Sequence, residues 1–312
     1  MSSITTDRSD RPDTKSDIEW LRHHGERAAF LACVVANVTI FIIALIVIFA
    51  STEWLAKHPV VSVRVETFRA IAIAFLFAFP ATAFWRHVHF YDARGNSVLV
   101  SPTQFPELHE NLLAICRKLG VEKVPELYIG RVHDNEMMEV HSIWRHQHCI
   151  VLNSDWLVDK HWTLGEDWLS FIIARGVGAI RLGHTYWWME LLTVYVKHIP
   201  GLRTPLLVSW TQSRDRCAAY AVPNGLRGLV IEATGKDMIW TLDLDAFVEQ
   251  PRHDGIWSWL ATMERKKPHL VERARALYEA GLFDRERDRT RAVSHREQSD
   301  KLVEALTSVS RE

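Results

Sequence analysis

The chain has 312 residues, with 37 Lys and Arg against 38 Asp and Glu, so its formal charge is -1. That balance excludes the basic footprint of a nucleic-acid-binding protein. Its four cysteines, Cys33, Cys116, Cys149 and Cys217, form no CxxC pair, which excludes a thioredoxin-type motif and a zinc knuckle and predicts four small buried hydrophobes.

Residues 1–27 are polar and predict a loose lead-in. Ala28 to Ala50 then runs 23 residues without a charge. At about 1.5 Å per residue a helix of that length crosses a hydrocarbon layer of roughly 30 Å. The run is long for a signal peptide and lacks a small-x-small cleavage site before Trp54. A second apolar run, Ala70 to Trp85, contains Pro80 and is flanked by Arg69 and Arg86, where interface anchors belong. With Phe68 and Arg86 included, the two runs predict a transmembrane hairpin over 28–86, with spans at about 28–50 and 68–86. A hairpin puts residues 1–27 and 87–312 on one side. Lys15, Arg22, Arg27, Arg86 and Arg94 there outnumber Lys57, Arg64 and Arg69, which favours a multi-pass membrane protein with a cytoplasmic main domain.

Beyond the hairpin the pattern is mixed. Ser97–Val100, Glu126–Ile129 and Cys149–Asn153 read as short strands. Leu108, Leu112, Ile115 and Leu119 recur at helical spacing over Pro106–Leu119, and Gly120 ends that helix. Asp167–Leu182 reads as an apolar helix. Tyr186–Trp210 is apolar but broken by Glu190, Lys197, Pro200, Arg203 and Pro205, and predicts a helical hairpin packed on the domain or lying in the membrane interface. Met263–Ala280 reads as one charged amphipathic helix, and 284–312 as a charged helical tail.

The order of these elements resembles the HtpX and CAAX-prenyl-protease type of membrane-bound zinc metallopeptidase. The resemblance rests on Phe105-Pro-Glu-Leu-His, Pro125-Glu-Leu-Tyr-Ile, Asn135 ahead of an edge strand, Ile150-Val-Leu-Asn-Ser-Asp-Trp-Leu, Asp215-Arg216, and Lys267-Pro268-His269 through Arg273. It implies an α+β, mainly helical fold: the transmembrane hairpin followed by a gluzincin-like domain with a small sheet over 87–283. Its scaffold positions would be Asn135, His184, Asp215, Arg216, Pro268 and Arg273.

The chemistry does not follow. A zincin holds its metal on a helix through His-Glu-x-x-His, the i, i+4 imidazoles sharing one face and the Glu activating water. Laid on that string, Arg175 stands for the first His, Gly176 for the general base and Ala179 for the second His, while Thr211 stands for the third ligand, four residues before Asp215. Guanidinium has no lone pair for zinc, and Gly and Ala offer no ligand atom. No catalytic residue and no zinc or other cofactor are therefore expected. The vacated pocket predicts an Arg175–Asp215 pair. His184 is expected to be a satisfied core or rim histidine.

His141, His146 and His148, beside Glu136, Glu139 and Cys149, form the alternative metal cluster; their spacing reads more simply as a polar loop with exposed imidazoles. The sequence thus points to a membrane-anchored pseudopeptidase serving as a binding, scaffolding or regulatory subunit. Its partners would be the bilayer and a membrane protein, a peptide paired along the edge strand, or a larger complex. The alternatives are an active metalloendopeptidase with an unusual site and a purely structural membrane protein.

Overall fold

The computed structural model describes residues 15–51, 53, 65–132, 136–144, 147–157, 166–235, 238–251, 255–265, 267–282, 288–290, 292–294, 297 and 301. Two long helices come first: α1, Glu26–Phe49, and α2, Val65–Gly95, with Pro80 inside it. Both are long and apolar enough to cross a membrane. Their most apolar 18-residue windows are only 17% and 6% buried within the protein. Leu31, Ile43, Phe49, Phe77 and Phe84 face outward, unlike the side chains of a soluble core helix.

The remainder is mainly helical around a small mixed sheet. β1 (Val98–Leu99) pairs antiparallel with β2 (Glu126–Gly130), β2 parallel with β4 (His148–Asn153), and β4 antiparallel with β3 (Met138–Ser142). The order β1-β2-β4-β3 leaves β3 at one edge. Between β1 and β2 runs α3, Pro106–Lys118, which opens on a proline at its first turn and buries Leu108, Leu112, Ile115 and Cys116. Its apolar stripe packs against α4, Glu166–Arg181, the centre of the core. Phe171, Ile172, Ile173 and Val177 of α4 are at most 1% exposed. Truncating Phe171 to alanine is expected to cost about 3–5 kcal/mol.

After α4 come α5 (Trp187–Leu191), a 3-10 turn at Val196–His198, and α6 (Pro200–Ala221). The expected helical hairpin over 186–210 is therefore corrected: its second arm is a long helix running 11 residues past Trp210. Pro200 sits in the first turn of α6, where its missing N–H costs nothing. Then follow α7 (Arg227–Thr234), α8 (Leu244–Val248), α9 (Ile256–Arg265) and α10 (Leu270–Glu279). The single helix expected over Met263–Ala280 is two, α9 and α10. The break precedes Pro268, which cannot donate to a helix ladder and pushes the residue before it out of the helical region.

The lead-in is not all loose either. Lys15–Leu21 forms a 3-10 helix whose Ile18 and Leu21 join the main core, and the His23 N–H donates to Ser213 Oγ at 2.9 Å. At the other end Arg227 donates to both carboxylate oxygens of Asp288, drawing residues 288–290 onto α7.

Candidate functional site

The core face of α4 carries the positions where the metallopeptidase pattern would place its catalytic groups. Ala179 is fully buried. At Gly176 a Cβ would meet Ile150 Cδ1 of β4 at 3.0 Å and Met138 Sδ of β3 at 3.1 Å, so α4 lies flush on the sheet. At Gly178 a Cβ would fall 2.7 Å from Cys217 Cβ, so α4 and α6 approach almost backbone to backbone. That closeness brings Arg175 of α4 to Asp215 of α6. Thr211 lies one turn before Asp215, and its hydroxyl donates to its own helix at Leu207 O, 2.8 Å away.

The expected Arg175–Asp215 pair is present, with Arg175 Nε 2.9 Å from Asp215 Oδ1, although off the hydrogen-bond line. Arg273 of α10 holds the same carboxylate more fully: its Nε donates to Oδ2 at 2.7 Å and its Nη2 to Oδ1 at 2.9 Å. This is the bidentate arrangement that suits a planar guanidinium. Glu232 of α7 stands 3.7 Å from Arg175 Nη1 and 3.8 Å from Arg273 Nη1. Asp215 and Arg273 are 1% exposed and Arg175 6%. Burial alone would raise the Asp215 carboxyl; Arg273 and then Arg175 outweigh it and hold the group below the usual carboxylate range. Two guanidinium and two carboxylate groups thus gather with no net charge, Glu232 standing beyond hydrogen-bond reach and Arg175 Nε and Arg273 Nη1 making no hydrogen bond among the described residues.

A second buried polar set adjoins it. His184 follows α4, and its ring stacks on Trp210 with centroids 5.0 Å apart. Its Nε2 lies 2.9 Å from Glu26 Oε1, at the foot of α1, and Arg214 Nε donates to its Nδ1 at 3.3 Å. Arg22 and the Ser213 hydroxyl also donate to Glu26. With a guanidinium facing Nδ1, the imidazole is the neutral Nε2–H tautomer. Burial pushes its pKa down to about 4, against the raising effect of the Glu26 hydrogen bond. His184 is the satisfied core histidine expected of it, and it locks the first apolar helix to the domain.

Two histidines of the alternative cluster, His141 and His148, are not exposed imidazoles in a polar loop. His141 lies within β3, half-buried, with its Nε2 3.0 Å from Glu139, and His148 is buried on β4, 2.5 Å from Ser142 Oγ. Cross-strand pairing, with His141 opposite Cys149, draws them into the sheet. His146 and Asn135 lie outside the described residues. Arg216 points away from the Asp215 cluster, its Nη1 donating to Arg22 O at 3.4 Å. Pro268 is buried beside Lys267, which bonds Glu136.

Among the described residues no three His, Cys, Asp or Glu stand close enough to share a metal ion. Zinc does not fit the positions that the resemblance gives it: Arg175 and Ala179 supply no donor, and Thr211 offers only a hydroxyl engaged within its helix. Glu232 went unread in the sequence; its only signal is a lone carboxylate in the otherwise apolar Gly228–Ala233. No protein-family model, no curated protein and no solved structure matches the chain.

Proposed function

We propose that the chain is a multi-pass membrane protein that carries a metallopeptidase-like domain without peptidase chemistry and serves as a binding or scaffolding subunit. The observation that carries this reading is the Arg175–Asp215–Arg273–Glu232 network. It fills with charge of balanced sign the place where that family's resemblance puts a metal and a general base. Gly176, flush against Ile150 and Met138, leaves no room for a general-base side chain. A protein that invests two buried guanidinium groups there keeps the fold and not the reaction, because a buried network of this kind specifies structure at the expense of adaptable chemistry.

The main domain lies on the cytoplasmic side in this reading, by the Lys and Arg excess beside it. Its partner is a membrane protein or peptide that pairs with the edge strand β3, which has a neighbour in the sheet on one side only. The test is elemental analysis of the full chain purified in detergent and dialysed. The expected content is below about a tenth of a zinc per chain, since a structural or catalytic zinc site binds far too tightly to empty under dialysis. A content near one zinc per chain, with hydrolysis of casein, overturns the reading in favour of an active metalloendopeptidase.

A further inference from the structure

The segment around α5 docks on α1 and α2 well inside their apolar stretches. Asn37 Oδ1 accepts the Tyr195 N–H at 2.9 Å, and its Nδ2 donates to Leu191 O at 3.4 Å. The Tyr195 hydroxyl donates to Phe75 O at 3.1 Å, and its ring centroid lies 5.3 Å from those of Phe75 and Phe79. Asn37 stands nine residues beyond Ala28. With α1 and α2 as the spans proposed above, residues 191–195 therefore lie about 13 Å inside the apolar layer. The polar backbone there is tolerated because Asn37 satisfies it and the protein encloses it.

Between this segment, α2 and β3 is a cavity of about 560 Å³. Its character changes along α2. Ala78, Ala81 and Trp85, with Val194 opposite, line the membrane end; Arg86, Lys197 and Glu190 line the domain end. The Arg86 Nη1 and the Lys197 Nζ (3.5 Å) both address Glu190, so two cations share one carboxylate. The Arg86 side chain is 12% exposed; its Nη2 donates to Thr185 O, while its Nε is buried with no acceptor among the described residues. Glu139 is engaged by His141. An uncompensated cation beside an apolar wall is costly unless an anion joins it.

We propose that this cavity binds an acidic phospholipid, its phosphate between Arg86 and Lys197 and one acyl chain along Ala78, Ala81 and Trp85. Arg presents a planar donor fork to phosphate, Lys a mobile point charge, and the volume suits a headgroup with the upper part of a chain. The inference rests on the membrane placement of α1 and α2.

The full chain, purified in neutral detergent, is titrated with dioctanoyl phosphatidylglycerol, dioctanoyl phosphatidylcholine and inorganic phosphate, and thermal unfolding is followed. Phosphatidylglycerol is expected to raise the unfolding temperature saturably, and phosphatidylcholine is not. Lys197→Gln keeps the Arg86–Glu190 pair and removes the surplus charge; it is expected to weaken the phosphatidylglycerol response about tenfold or more. Ala81→Trp fills the apolar end without touching a charge and is expected to do the same. Equal responses to the two lipids, or an undiminished response in both variants, overturns the proposal. Inorganic phosphate as effective as phosphatidylglycerol overturns the lipid and leaves a soluble anion. Membrane placement is read separately by carbonate extraction of membranes: a chain that is released yet still binds phosphatidylglycerol refutes the depth and not the site.

Discussion

The polar groups around Asp215 and those around Glu190 are built from the same materials and balanced differently. Around Asp215 two arginines meet two carboxylates, and the bidentate bond from Arg273 engages both oxygens of the buried Asp215. Around Glu190 an arginine and a lysine meet one carboxylate beside an open cavity. Buried and neutral in sum, the first ties α4, α6 and α10 together. Open and one charge in excess, the second is suited to receive something. The proposed binding place is the one of the two where the charge balance is left incomplete.

The largest effect should come from unbalancing the region around Asp215. Asp215→Asn leaves two buried guanidinium groups facing an amide and is expected to destabilise the chain by about 3–5 kcal/mol in thermal or denaturant unfolding. Lys197→Gln in the open region should leave stability unchanged or raise it by up to about 1 kcal/mol, because it removes a surplus cation whose side chain is 30% exposed. If the two variants cost the same, the contrast between the regions is lost.

Acid should act next. His184 has a folded pKa of about 4 against an ordinary value near 6.5. Between those values the unfolded chain binds the proton first. The contribution of His184 is therefore flat above about pH 6.5, falls as the pH drops toward about 4, and loses on the order of 3 kcal/mol across that window. His184→Gln, which can still donate to Glu26, should remove this part of the slope; a slope that survives assigns it to other groups.

Gly176→Glu restores the general base of the metallopeptidase pattern in name only. Its Cβ would press on Ile150 and Met138, and the expected cost is about 1–3 kcal/mol with no gain of peptidase activity. A stable variant would show that α4 can lift from the sheet. Glu232→Gln should have the smallest effect, about 1 kcal/mol or less, since Glu232 stands beyond hydrogen-bond reach of both arginines and is 21% exposed.

Much of the fold was legible because it depends on local periodicity. The uncharged run from Ala28, the 3.6-residue stripe of Leu108, Leu112 and Ile115, and the apolar strand Ile150-Val-Leu each announce their element within a few residues. What was missed depends on partners far along the chain. Glu26 lies 158 residues from His184, and Asp215 lies 58 from Arg273, so nothing near either carboxylate marks it as buried. Glu232 hid for the same reason. His141 and His148 looked like loop residues because the strand-forming signal lies in their pairing across the β3–β4 hairpin and not in either segment alone. The Arg175–Asp215 contact was legible only through the resemblance, which supplied a register between two helices that periodicity cannot give.

The four cysteines are all buried, and burial pushes the thiols of Cys116, Cys149 and Cys217 up to about 12. At neutral pH they carry almost no thiolate, the form that maleimides attack. The folded chain thus offers a silent background for labelling. A single cysteine introduced at exposed Asn96, beyond the end of α2, or at exposed Glu53, beyond the end of α1, would be the one reactive thiol in the native protein. An impermeant maleimide added to intact cells would then read directly which face of the membrane each position meets.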